Sequence, residues 1–174
     1  MNTATQTRLA DMIVAQLVAL VERHTAGRLT DAAFEAAAVA LLTRAQAQGA
    51  ALADIAAAAE VGRLRGTVLA AIGLEVREDA AGHARAELAA ARARPEWDTD
   101  PVAAATVLAS AVTLAAAQEA TDRAYREHGV RQWVRVPNVG ACELCQELAD
   151  MGPAPAGVEP YHHKGCGCSS RPVN

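Results

Sequence analysis

Residues 100–129 read DPVAAATVLASAVTLAAAQEATDRAYREHG, and the fold class turns on this stretch. Asp100 before Pro101 is a helix start, because a carboxylate accepts a hydrogen bond from the orphan N–H groups of a first turn and proline at the first helical position has no N–H to lose. Alanine, the best helix former, then dominates until His128 and the stop at Gly129. The stretch predicts a helix over 101–128. Residues 101–118 carry no charge and are long enough to span a bilayer, but alanine with Thr106, Ser110 and Thr113 points to a bundle helix, and no membrane is expected as a partner.

The whole chain repeats this composition. Of 174 residues, 52% are hydrophobic and 21% charged, the balance of a globular protein, yet 44 are alanine and five are Phe, Trp or Tyr. A core of interlocking bulky side chains is excluded, and sheets lack the β-branched and aromatic residues they favour. A mainly α fold is expected. Arg8 and Asp11 interrupt what a secretory leader would need as its apolar core, so none is expected at the N-terminus.

Other helices read outward from the long one. Leu9, Ile13, Leu17 and Leu20 recur at helical spacing before a stop at Gly27, with His24 placed as a cation near that helix's C-terminal dipole. Thr30 caps the next helix, with Leu29 set to meet Phe34 as a hydrophobic staple, and Gly49 is the expected end. A further helical segment from Ala51 carries Val61, Leu64, Val68 and Ile72 on one face up to Gly73, and Gly62 and Gly66 weaken its middle and allow a break or kink there. Residues 79–94 form a shorter helix in which His83 is a solvated surface residue, and residues 95–100 form a linker.

At Val130 the composition changes. All four cysteines, two of five histidines and five of seven prolines follow it, which divides the chain into a helical domain, 1–129, and a C-terminal module, 130–174. Trp133-Val-Arg-Val136 alternates and meets the turn Pro137-Asn-Val-Gly140, giving one or two short strands in the module. So few residues cannot close a core alone. They must lean on the helices or on a metal.

The metal signal is Cys142-x2-Cys145 followed by His163-x2-Cys166-x-Cys168. Two thiolates two residues apart can face one ion, and zinc takes four such ligands tetrahedrally at about 2.0–2.3 Å. A single structural zinc per chain is expected on Cys142, Cys145, His163 and at least one of Cys166 and Cys168, with His162 a further candidate. Three thiolates with one imidazole and four thiolates both remain open. Disulfides fit less well, because Cys166 and Cys168 could hardly bond across one glycine without strain. Catalysis is not expected. The module lacks the His-x-Glu of zinc deaminases, and the chain has no nucleophile elbow, P-loop or dinucleotide fingerprint.

Charge excludes little but favours nothing basic. Formal net charge is −4, with 12 Arg against 16 acids in residues 1–129 and four bases against four acids beyond. A zinc-ribbon DNA-binding regulator would have only Arg131, Arg135, Lys164 and Arg171 for phosphate contacts, so DNA contact is weakly supported.

Taken together, Trp133-Val-Arg-Val-Pro137, Gly140-Ala-Cys-Glu-Leu-Cys145, Leu148, Gly152 and His163-x2-Cys166-x-Cys168 with Pro172 resemble the C-terminal part of the Mu-F-like minor head proteins of tailed bacteriophages. The resemblance covers about the last 45 residues, and more loosely the helix ending Ala124-Tyr-Arg-Glu-His128. It implies a non-enzymatic protein of head morphogenesis that sits inside the head near the portal vertex, after host-cytoplasmic assembly, and acts in assembly, DNA packaging or ejection. Cys142, Cys145, His163, Cys166 and Cys168 carry over as its metal-binding group. Nothing matches the protease or toxin domains fused to some relatives, which leaves a capsid-maturation protease as the weakest alternative.

Partners would be the portal protein, other head proteins or further copies of the chain. The small side chains have two readings: a self-contained bundle in which alanines bring helix axes together, or stripes completed against other chains because large apolar residues are scarce, with Leu108, Val112 and Ala115 on one side of the long helix and Val107, Ala111 and Leu114 on the next as the contact surface.

Overall fold

The computed structural model describes residues 3–76, 78–155, 158 and 167–173. Its elements are α1 (Thr3–Thr25), α2 (Asp31–Arg65), α3 (Ala80–Arg92), α4 (Pro95–Thr99), α5 (Pro101–Glu127), β1 (Gln132–Val136), α6 (Glu143–Asp150), β2 (Ala154–Pro155) and β3 (Ser169–Val173). The fold is mainly α, as the composition predicts. Helices α1, α2 and α5 pack on one another, α3 lies on α2 and α5, and a small antiparallel sheet of order β2-β1-β3 is docked on α2 and α5.

Caps decide several boundaries. Thr30 accepts a hydrogen bond from Ala33 N at 3.2 Å, and Asp100 accepts one from Ala103 N at 2.9 Å ahead of Pro101. Leu29 and Phe34 pack into the same core, as a staple requires. His24 does more than face a dipole: it stacks on Phe34 at 4.8 Å, and its ring nitrogens lie 3.2 Å from the Leu29 carbonyl and 3.3 Å from Asp31, which fixes the α1–α2 turn.

Two expected boundaries are wrong, and each turns on a glycine. Helix α2 runs through Gly49 and stops at Gly66, so the helical segment expected from Ala51 holds as far as Arg65, its break falls at Gly66, and residues 67–76 form an irregular return, with Val68 97% and Ile72 40% exposed. Gly49 stays helical because it lies at a close crossing. A Cβ there would stand 2.9 Å from the Thr113 carbonyl oxygen of α5, so only glycine lets the two backbones approach. Gly66 takes φ +64, a left-handed value that suits glycine; its N–H and that of Thr67 then cap the carbonyls of Arg63 and Gly62.

The return segment is tied down by Asp54, buried in α2. Its carboxylate accepts the backbone N–H groups of Ile72, Gly73 and Leu74 at 3.1, 2.7 and 3.0 Å. Burial alone raises its pKa, but the three donors, helped by His128, outweigh burial and hold the carboxyl below its ordinary value. Residues 95–100, expected as linker, contain the short helix α4, whose Trp97 packs against the main core.

The core has two parts. The first corrects the expectation that bulky side chains build no core: Leu9, Ile13, Leu17 and Val21 of α1 lie against Phe34, Leu41 and Leu42 of α2, Leu88 of α3 and Leu108 and Val112 of α5. Alanines build the second, where Ala50, Ala53 and Ala57 of α2 lie in the same contact zones as Ala117, Ala120 and Ala124 of α5. By length and composition α5 could cross a membrane, and here its apolar faces pack on α1, α2 and α3.

This packing corrects the expected contact surface. Leu108, Ala111 and Val112 are 1%, 7% and 3% exposed, used up inside the chain, and only Ala115 and Val107 of the six residues are exposed. The side of α5 that carries Leu108, Ala111 and Val112 is covered within the chain, while Val102, Val107 and Ala115 stay exposed.

Two substitutions test these constraints. Gly49→Val should lower unfolding stability by about 1–3 kcal/mol through overpacking, whereas Gln48→Ala, exposed beside it, should stay within about 0.5 kcal/mol in urea titration. Asp54→Asn should cost about 1.5–3 kcal/mol near neutral pH. The sign with pH follows from the lowered carboxyl: the stabilisation is complete above the unfolded-state value near 3.8 and is lost as pH falls through the folded value, so the wild-type advantage should shrink only below about pH 4.

Candidate metal centre

The module is held to the bundle by polar contacts at its strands. Gln118 Nε2 of α5 donates to the Cys168 carbonyl at 3.2 Å. The Tyr125 hydroxyl lies 3.0 Å from Glu60 Oε2 and 3.1 Å from the Ser170 carbonyl. Burial first, then the charge of Glu60, pushes the Tyr125 phenol far up, so it keeps its proton and is the donor of this junction. Where the chain leaves α5, Arg65 Nη2 donates to the His128 carbonyl at 2.6 Å, and Val130 packs among Ala57, Val61, Ala124 and Tyr125.

Strand pairing then assembles the sulfurs. β1 runs antiparallel to β3 with Val136 opposite Ser169, which sets Cys168 beside the turn that leaves β1. That turn leads into α6, where Cys142 is the N-cap residue and Cys145 lies in the first helical turn. The Cys-x2-Cys segment is therefore a helix start rather than an isolated knuckle. Cys145 and Cys168, 23 residues apart in sequence, are 0% and 3% exposed and pack together with Ala141, while Cys142 is exposed. None of these three cysteines is in a disulfide.

Asn138 and Arg135 reach the sulfurs. The Cys168 thiol donates to Asn138 Oδ1 at 3.3 Å, and Arg135 Nη1 donates to Cys145 Sγ at 3.8 Å. Arg135 is 5% exposed, which removes it from the set expected to touch phosphates; Arg131 and Arg171 remain exposed. His162, His163, Lys164 and Cys166 lie outside the described residues. Among the described residues no three His, Cys, Asp or Glu side chains are grouped to share an ion. What the fold brings together is Cys145 with Cys168, one sulfur from each half of the motif.

This donor chemistry suits zinc. Soft sulfur atoms, buried and unbridged, are the ligands that borderline-soft Zn2+ takes in closed structural sites, and the partners such a pair would need are the motif's other members, Cys142, His163 and Cys166.

The spacing of Cys and His residues marks this region in the sequence. The supporting residues carry no such mark: Gln118 and Tyr125 sit within an Ala-rich helix, and Asn138 reads as an ordinary turn residue. Arg135 has one signal, since it shares the phase of Trp133 in an alternating strand. Comparison of the chain with protein-family models, with curated proteins and with solved structures found no match.

Cys145→Ser should loosen the module and spare the bundle, because the caps and core of residues 3–129 do not involve it. Limited proteolysis is expected to cut within 130–174 while the far-ultraviolet helical signal persists. Cooperative loss of both would show that bundle and module fold as one unit.

Proposed function

We propose that this chain is a structural minor head protein of a tailed bacteriophage, placed inside the head near the portal, whose C-terminal module is held together by one zinc ion. The observation that carries the reading is the pairing of Cys145 with Cys168, which joins the two halves of a motif that resembles the C-terminal signature of Mu-F-like head proteins. Cys142, Cys145, His163, Cys166 and Cys168 supply the ligands, as three thiolates with one imidazole or as four thiolates.

The ion's contribution is cross-linking. A filled tetrahedral set leaves no open position for water, so the module is a fastener and not a catalyst. The chain supplies the rest: β1 and β3 set the two halves of the motif side by side, and Tyr125 and Gln118 fix β3 to the helices. With Leu108, Ala111 and Val112 committed to the core, docking on the portal or on other head proteins falls to other surfaces. The loss of Arg135 from the candidate phosphate contacts weakens the DNA-binding alternative further.

The test is genetic and analytical. Mass spectrometry of purified, DNA-filled particles should find the chain in a few copies, and deleting its gene should abolish infectious particles while complementation restores them. Particles that lack the chain, with normal titre after deletion, would refute the assignment. Independently, protein purified without chelator should hold close to one equivalent of zinc; less than about a tenth, with the thiols paired, would remove the metal from the account.

A further inference from the structure

Strand β1 buries its arginine and leaves a valine outside. In Gln132–Val136 the inward face carries Trp133 and Arg135, 8% and 5% exposed, while Val134 is half-buried and Val136 is 37% exposed. Slipping the strand by one residue would turn every side chain over. Burying Trp133 explains why this face is chosen, but it does not explain where the guanidinium goes. An arginine stem is long enough to lie along an apolar surface and deliver its charged head to water, which is the usual outcome. Here the head turns inward, and its Nη1 lies 3.8 Å from Cys145 Sγ, within the pair that Cys145 forms with Cys168. An arginine keeps its charge, so this contact sets a fixed positive group against that sulfur.

Zinc bound by thiolates would set negative charge opposite it. Three thiolates and a neutral imidazole leave one surplus negative charge on the centre, and four thiolates leave two. Hydrogen bonds from outside the ligand set also orient ligand sulfurs and tune the metal.

We infer that Arg135 is the positioning residue of the metal centre, donating to the ligand sulfur of Cys145 and offsetting the surplus charge of the thiolate set. The inference rests on the zinc reading above and goes beyond it, since it assigns a role to a residue outside the Cys and His motif. Lysine could not replace it fully, because an ammonium lacks the planar fork that lets one nitrogen face the sulfur while others bond elsewhere.

Cobalt is the probe, added as Co2+ to the full-length chain after reduction and removal of bound metal. The wild-type chain should develop the intense near-ultraviolet band of thiolate-to-cobalt charge transfer. Arg135→Met should shift that band and weaken Co2+ and Zn2+ binding about 10- to 100-fold in chelator competition. Arg135→Lys should shift it less and lose less affinity. Trp133→Phe, which disturbs the same strand without touching Cys145, should leave the band in place.

An Arg135→Met chain whose band and affinity match wild type overturns the inference and leaves the zinc reading standing. A band shift equal to that of Trp133→Phe overturns it as well, since the effect would then be strand stability. If Arg135→Met takes up no cobalt, Arg135→Lys decides: a shifted band supports the role and a superimposable one overturns it. A wild-type chain with no charge-transfer band overturns the zinc reading and this inference together.

Discussion

Helices α2 and α5 approach so closely that the Thr113 carbonyl of one occupies the space a side chain would need at Gly49 of the other. The remaining elements are arranged around that contact. Alanines carry it onward from Ala50 to Ala57 on α2 and from Ala117 to Ala124 on α5, and near its end the Tyr125 hydroxyl lies between Glu60 of α2 and the Ser170 carbonyl of β3. A chain with five aromatic residues cannot fill wide gaps between helices, so it narrows the gaps instead. The bulky residues it has are concentrated where α1 crosses the pair, around Phe34, Leu42 and Leu108.

The composition made the helical class legible, and cap chemistry made several boundaries legible, at Thr30, Asp100, Gly27 and Gly129. Glycine was ambiguous because its two uses look alike in sequence. Gly49 serves close approach inside a helix and Gly66 ends one, and only the position of α5 and the left-handed turn distinguish them. The exposed return over residues 67–76 was hidden for a related reason: Val68 and Ile72 continue a helical apolar period, while the group that ties the segment down, Asp54, lies on another stretch of chain. The partner surface on α5 was misplaced because an apolar stripe does not say whether its cover comes from the same chain.

For the module, the motif identified the sulfurs but not their surroundings. That Cys145 and Cys168 meet depends on the β1–β3 register, and that register places Arg135 on the inner face. Strand pairing, a buried cation and thiol donors converge on one small volume, which is why a short tail with little apolar residue of its own can hold a defined shape against the helices. On the proposed zinc reading the ion would join the halves of the motif, with β3 held by the helices and Arg135 donating to one ligand sulfur.

The most direct measurement is X-ray absorption at the zinc edge on the intact chain purified without chelator. The account predicts a four-coordinate ion with three or four sulfur neighbours at about 2.3 Å and at most one nitrogen near 2.0 Å. A shell of oxygen and nitrogen alone, or no zinc signal above background, would contradict it.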